Sequence, residues 1–410
     1  MINKIILFVF RLLVIFGFLF EIHIKEPITS RRLSVLIAII TLVFRRKQLN
    51  LLFSHIDKSK FMGAILLFSG CLLLICLNSY IVLRNPNNTY MDPWHIMNLL
   101  LYVLVFSFYS VVEFKKIRSF VVIYSVAFLI QAVAVFYAAI NDSFRLYLYA
   151  NFYSGDDRFE RSIEMGTRIM GIALNSSQGS VICSTSIILL TYAIIVNSIP
   201  RVLYYTLCAI FVPMTMFIGR TGALIEIIVI LFYVYTSGSK KLILNSLIVI
   251  IASIIGGLIL NQVLSNIDSS VAEQLMSWMT ASFDSEDRQN TLDHIHRELP
   301  GFSLEFILGT GIRGGITPNG NVVDSDSGYI INYSALGIIG SLMYYIAHLK
   351  MYKMTLYVNK GKQKRRFFLL LFIISYLIEY KEPYMMKYIF SYIIITLGLY
   401  SVFDYYKTKN

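Results

Sequence analysis

The sequence predicts an all-α fold: a polytopic membrane protein of about 12 transmembrane helices, with one large extracytoplasmic loop late in the chain. Three observations predict it. The 410 residues are 57% hydrophobic and only 15% charged, with a mean hydropathy of +0.66, whereas soluble domains run near half apolar and a quarter charged. Apolar runs of bilayer-crossing length, roughly 20 residues, recur from end to end. Lysine and arginine gather in alternate connecting segments, as the positive-inside rule requires.

The first run, 5–22, passes into Glu21-Ile22-His23 with no small-residue cleavage pattern and reads as a retained helix. The second, 28–44, is the weakest, because its apolar core of 33–44 lies between Arg31-Arg32 and Arg45-Arg46-Lys47. That length also suits a re-entrant or interfacial segment. Spans follow at 61–83, 95–114, 118–140, 169–197, 202–218, 222–236 and 242–264. After the late loop come 328–348, the short 367–380, which shares the interfacial alternative, and 385–403. The chain therefore divides into nine spans over 1–264, a loop over 265–327 and three spans over 328–410. Within the loop, 269–283 and 285–299 read as short helices. The second opens on Ser285-Glu286-Asp287, which suits a helix N-terminus, and stops at Pro300-Gly301.

The net charge is +12, from 36 Lys+Arg against 24 Asp+Glu. In a soluble protein that would suggest nucleic acid; here it sets orientation, and no nucleic-acid partner is expected. With the N-terminus inside, the inner segments collect Arg45, Arg46, Lys47, Lys58 and Lys60, then Lys115, Lys116 and Arg118, then the basic run 360–366. Both termini are expected in the cytoplasm. The two long segments, 141–168 and 265–327, then lie outside, and loops on a rigid scaffold are where chemistry is expected. Cys71, Cys76, Cys183 and Cys208 all sit in apolar stretches, which suits packing rather than a metal cluster or a disulfide framework. Neither metal nor cofactor is expected.

The long outer segments carry Arg145, Arg158, Arg161, Arg168, Arg288, Arg297 and Arg313 but no lysine, and Arg220 joins them at the end of a span. Arginine presents a planar fork to phosphate. These arginines point to a diphosphate site at the outer membrane boundary, or else to pairing with neighbours such as Asp156, Glu160 and Asp287. Arg168, Gly171, Asn175 and Gln178 fall at helical spacing, which predicts one inward polar face on the sixth span. Gly219-Arg220-Thr221-Gly222 predicts a tight turn with Arg220 beside a helix N-terminus that favours anions, and Glu226 lies further along the same helix. A snorkelling interfacial arginine is the alternative. The glycines of Leu308-Gly309-Thr310-Gly311 would let backbone amides approach phosphate, although no nucleotide-binding context surrounds them. Asp326, in Asp324-Ser325-Asp326-Ser327-Gly328-Tyr329, is a candidate general base or a helix N-cap. His294 and His296 are the other candidate bases, or surface histidines.

Taken in order, Arg168 to Gly171, Gly219-Arg220-Thr221-Gly222, Leu308-Gly309-Thr310-Gly311, Asp326-Ser327-Gly328-Tyr329 and Gly337-Ile338-Ile339-Gly340 resemble the O-antigen polymerase (Wzy-type) and O-antigen ligase superfamily of bacterial membrane glycosyltransferases. The resemblance implies a metal-independent GT-C-like enzyme of the cytoplasmic membrane, acting on undecaprenyl-diphosphate-linked glycans at the outer face. It also implies a chain-length-regulating co-polymerase as partner. Arg168 and Arg220 match the family's arginine positions best, ahead of Arg288 and Arg313. Ligases tend to carry a histidine near the end of the late loop. Here Asp324-Ser325-Asp326-Ser327-Gly328 stands there, which favours polymerase. A polysaccharide transporter or flippase is the rival class; against it, no repeated halves and no matched pair of broken helices are visible.

Overall fold

In hydrocarbon every backbone amide needs a partner within its own segment, so a chain this apolar folds as helices. The computed structural model describes residues 2–25, 28–81, 94–152, 169–172, 176–237, 247, 307–311, 327–356 and 361–407. Helix α1 (Ile2–Phe20) leads through a small antiparallel hairpin, β1 (His23–Lys25) and β2 (Ile28–Thr29), into α2 (Ser30–Phe44). Next come α3 (Arg46–His55), α4 (Lys58–Ile81) and α5, which runs from Trp94–Leu100 through a π turn at Leu101–Val105 to Phe106–Phe114. Then follow α6 (Ile117–Ile140), α7 (Asp142–Phe152), α8 (Ser176–Ile195), α9 (Arg201–Ile218) and α10 (Arg220–Ser237). The described chain ends with α11 (Gly328–Lys353), α12 (Lys362–Glu379) and α13 (Ile389–Lys407).

Among the described residues, nine helices are long and apolar enough to cross a membrane, each matching one of the expected spans. Helices α2 and α12, which coincide with two further expected spans, fall short of that measure. Helix α2 has 15 residues, about 22 Å of rise against a hydrocarbon layer of about 30 Å. Helix α12 begins with Lys362, Lys364, Arg365 and Arg366. The expected span at 242–264 lies outside the described residues apart from 247, and so does the late loop apart from 307–311 and 327. Helix α3 occupies a stretch read from sequence only as an inner connection.

The chain forms two compact units, Met1–Val43 with Glu113–Asp284 and Phe44–Val112 with Ser285–Asn410. In the first, α8 is enclosed by α6, α9 and α10. Arg31, only 2% exposed, pairs with Glu21 and donates from Nε to the Phe18 carbonyl at 2.9 Å, closing the end of α1. Arg11, within α1, donates from Nε to Glu113 Oε1 at 2.8 Å. In the second unit α4 lies along α11, and Cys71 Sγ donates to the Gly340 carbonyl at 3.4 Å. Helix α13 meets α5 through Tyr392 Oη and Ser110 Oγ at 2.8 Å, and Tyr400 Oη donates to the Ser110 carbonyl at 2.9 Å.

Candidate functional site

In the first unit the Gly219-Arg220-Thr221-Gly222 segment makes the expected tight turn. Gly219 is extended and its N–H donates to the Thr215 carbonyl at 2.9 Å, ending α9. Arg220 is the first residue of α10 and is half-buried. Gly222 brings α10 onto the first turn of α8: a Cβ there would overlap the Ser180 carbonyl and stand 2.8 Å from Thr215 Cγ2. The Gly222 N–H donates to Ser180 Oγ at 3.3 Å. Two first turns therefore abut, one carrying Arg220 and the other the half-buried Gln178. One turn beyond Gly222, Glu226 is fully buried and accepts from Thr215 Oγ1 at 2.7 Å through Oε1. Its Oε2 has no partner among the described residues. Intramembrane carboxyls are rare and expensive, so this one marks the α9–α10 junction as more than packing.

The expected helical face through Gly171 is corrected. Gly171 lies in a turn at φ +59°, and α8 starts only at Ser176. The turn is gripped by Gln131 on α6, which is fully buried. Its Nε2 donates to the Met170 carbonyl at 2.9 Å and its Oε1 accepts from the Ile172 N–H at 2.8 Å. Ile169 N–H donates to the Phe217 carbonyl at 3.2 Å, tying the turn to the end of α9. A Cβ on Gly171 would lie 2.7 Å from Val135 Cγ2. Sequence reasoning missed Gln131, whose signal was an amide side chain inside an otherwise apolar span. Arg168 and Asn175 lie outside the described residues.

In the second unit the glycine-rich segment has a different employment from the expected one. Helix α11 is broken at Gly337, whose φ of 64° and ψ of −175° are not helical. A break strips nearby carbonyls of their helical donors. Thr310 N–H supplies the Ser334 carbonyl at 2.8 Å and Gly311 N–H supplies that of Ala335 at 3.0 Å. Thr310 Oγ1 adds a second bond to Ser334 at 2.9 Å. These amides serve the broken helix, not a phosphate. Gly309 (φ +80°) and Gly337 face each other, and a Cβ on either would overlap the other's strand of backbone.

The residue preceding α11 is Ser327, so the N-cap position falls one residue after Asp326. Asp326 itself, with His294, His296, Arg288 and Arg313, lies outside the described residues. Beside Ser327 the sequence concealed a buried acid. Glu379 is fully buried, accepts from Asn332 Nδ2 at 3.0 Å and accepts from the Met385 N–H at 2.9 Å. Asn332 Nδ2 also donates to Tyr345 Oη at 2.9 Å. A Cβ on Gly328 would stand 2.6 Å from Glu379 Oε1, so the glycine of Asp326-Ser327-Gly328 makes room for this carboxyl.

Of the outer arginines, Arg145 pairs through Nη2 with Asp142 at 2.8 Å, a local acid, while its Nε and Nη1 make no hydrogen bond among the described residues. Burial pushes the nearby Tyr149 phenol up to about 12, partly opposed by the Arg145 charge. Among the described residues no group of His, Cys, Asp or Glu is placed to hold a metal ion. The chain is a multi-pass helical membrane protein by its helices. Comparison with protein-family models, curated proteins and solved structures finds no match.

Proposed function

We propose that the protein polymerises polyprenyl-diphosphate-linked oligosaccharide repeat units at the outer face of a bacterial cytoplasmic membrane, building an O-antigen, capsule or exopolysaccharide chain. The observation that carries the reading is Arg220. It is a half-buried arginine at the first position of an 18-residue apolar helix, where fixed guanidinium charge and the positive end of the helix dipole both favour an anion. In the proposed reaction an acceptor hydroxyl attacks the anomeric carbon of the donor, with inversion. Asp326, His294 or His296 takes its proton. The bond from that carbon to the lipid diphosphate breaks, and Arg220, aided by Arg168, Arg288 and Arg313, stabilises the leaving charge without a metal ion. Gln178 and Glu226 line the path.

The test is Arg220→Ala in cells, with insertion and accumulation verified. Long glycan chains are expected to disappear while single repeat units remain, since losing one charge-stabilising donor costs roughly 10²–10³ in rate. Normal chain lengths would remove Arg220 from the site. An O-antigen ligase differs from this reading only in its acceptor. The flippase reading gains one specific observation, the broken α11, because transporters build ion sites at broken helices. Here Thr310 and Gly311 occupy the freed carbonyls. Deleting the gene separates the two: loss of a polymerase leaves single repeat units on the surface, and loss of a flippase leaves none.

A further inference from the structure

One face of α11 is polar where a membrane helix is ordinarily apolar. Ser341, Tyr344 and His348 are spaced by three and four residues, share one stripe and are all buried. Ser341 Oγ, Tyr344 Oη and His348 Nε2 have no hydrogen-bond partner among the described residues. His348 Nδ1 lies 3.0 Å from the Tyr344 carbonyl, and the Met385 backbone neighbours the ring outside hydrogen-bond geometry. Asn332 Oδ1 on α11 and Thr396 Oγ1 on α13 are likewise unpartnered.

Polar groups flank the row. The Glu379–Asn332–Tyr345 cluster reaches it through Tyr345, next to Tyr344. Towards the end of α11 Tyr352 Oη meets Ser391 Oγ at 2.7 Å. Glu379 is within electrostatic reach of Tyr344 and Tyr352, which bracket His348. The other titratable neighbours are Cys71 from α4, Tyr345 on α11 and Tyr376 from α12. Aromatic rings wall the stripe, with Phe68 centred 5.0 Å from His348 and Tyr344 4.4 Å from it.

Unpartnered polar groups in hydrocarbon are costly, and several on one stripe share one small remedy. Buried water bridges such groups when the site is polar and offers two or more partners.

We propose that this stripe encloses a file of internal water linking the Glu379 carboxyl to the His348 imidazole, and that the pair exchanges a proton through it. One O–H bond of the Glu379 acid breaks and one N–H bond forms at His348 Nε2, leaving carboxylate and imidazolium. No other bond changes. The inference stands apart from the glycan reading and its tests need no glycan.

Hydroxyl-radical footprinting of the full chain by X-ray radiolysis labels side chains that touch internal water. Tyr344 and His348 are expected to be modified about tenfold faster than dry buried tyrosines. Tyr124 and Tyr392, whose hydroxyls are held by Thr185 and Ser110, serve as those references. Equal silence at all four overturns the file. Infrared spectroscopy then follows the carboxyl band that Glu379→Gln removes. In His348→Gln its titration is expected to move by about one pH unit, a tenfold change in proton affinity. Tyr344→Phe, which keeps the ring, is expected to move it in the same sense. A band that titrates identically in wild type and both variants overturns the proton link.

Discussion

Gly309 and Gly337 hold positive φ and crowd each other's backbone, so each admits no side chain. Alanine at either position adds left-handed strain of about 1–3 kcal/mol before the overlap is counted. Both variants are expected to lower the thermal unfolding temperature in detergent. Gly361→Ala, where the nearest atom is Lys364 Cγ at 3.8 Å, serves as the control and is expected to lower it much less, by the loss of a favourable N-cap residue alone. Asp57 presents a second residue-scale case. Its carboxylate accepts from the Lys60 N–H at 3.1 Å and the Lys60 ammonium at 2.7 Å, capping α4. The Lys60 side chain holds its pKa below the usual carboxylate range, against a smaller opposing effect of burial. A folded pKa below the unfolded one adds stability above about pH 4, which is lost as pH falls through the folded value. Asp57→Ala is expected to cost about 1 kcal/mol at neutral pH and to narrow its gap from wild type in acid, as unfolding at both pH values would reveal. The turn at Gly219-Arg220 was legible because glycine and a change of apolar run punctuate the chain locally. The employment of the Gly309 segment was not. Two glycines flanking a threonine show that the backbone approaches something closely, but not that the partner is its own chain. Glu379 was hidden for the same reason, since burial of an acid at the end of a short apolar run depends on Asn332 and Met385, distant or unremarkable in sequence.

Helices were legible wherever a run exceeded the bilayer length, and illegible where tertiary contacts cut one short. The sixth span reads as continuous from 169, yet α8 begins at Ser176 because Gln131 supplies the preceding turn with the bonds a helix would have made. Likewise the apolar run after 328 gives no sign of a break at Gly337, whose freed carbonyls are met from a segment more than 20 residues away. Gln131 therefore behaves as part of the turn at 169–172 rather than of its own helix. Gln131→Leu keeps the volume and apolar character of α6 but leaves the Met170 carbonyl and Ile172 N–H without partners. Each unpaired buried group costs about 1–3 kcal/mol. The variant is expected to unfold at lower temperature than wild type, and Gln131→Glu, which keeps only the acceptor, is expected to fall between them. A Gln131→Leu protein as stable as wild type would show that the turn is held by the packing of Ile169 and Met170 alone.

For the molecule as a whole, charge sets the expectation for α2 and α12. Helix α2 is short for a span, and α12 opens on basic residues. If α2 did not cross, Arg45, Arg46, Lys47, Lys58 and Lys60 would face outward, and every later loop would change sides with them. If α12 did not cross, Lys407 and Lys409 would end outside. Both outcomes oppose the positive-inside rule. A 15-residue helix flanked by arginines can still cross, because snorkelling side chains and local thinning of the bilayer cost only fractions of a kcal/mol per Å of mismatch. Both helices are therefore expected to cross, with both termini inside. Paired reporter fusions read this directly, one reporter fluorescing only in the cytoplasm and the other active only outside it. The cytoplasmic reporter is expected to work at residues 57, 240, 360 and 410, and the external one at 160 and 300. Parity makes the C-terminus diagnostic: failure of one of the two helices puts the termini on opposite sides, whereas failure of both keeps them together. An external signal at 57 would identify α2 as the helix that does not cross, and would move the Arg220 turn to the cytoplasmic face, away from any outward-facing lipid diphosphate.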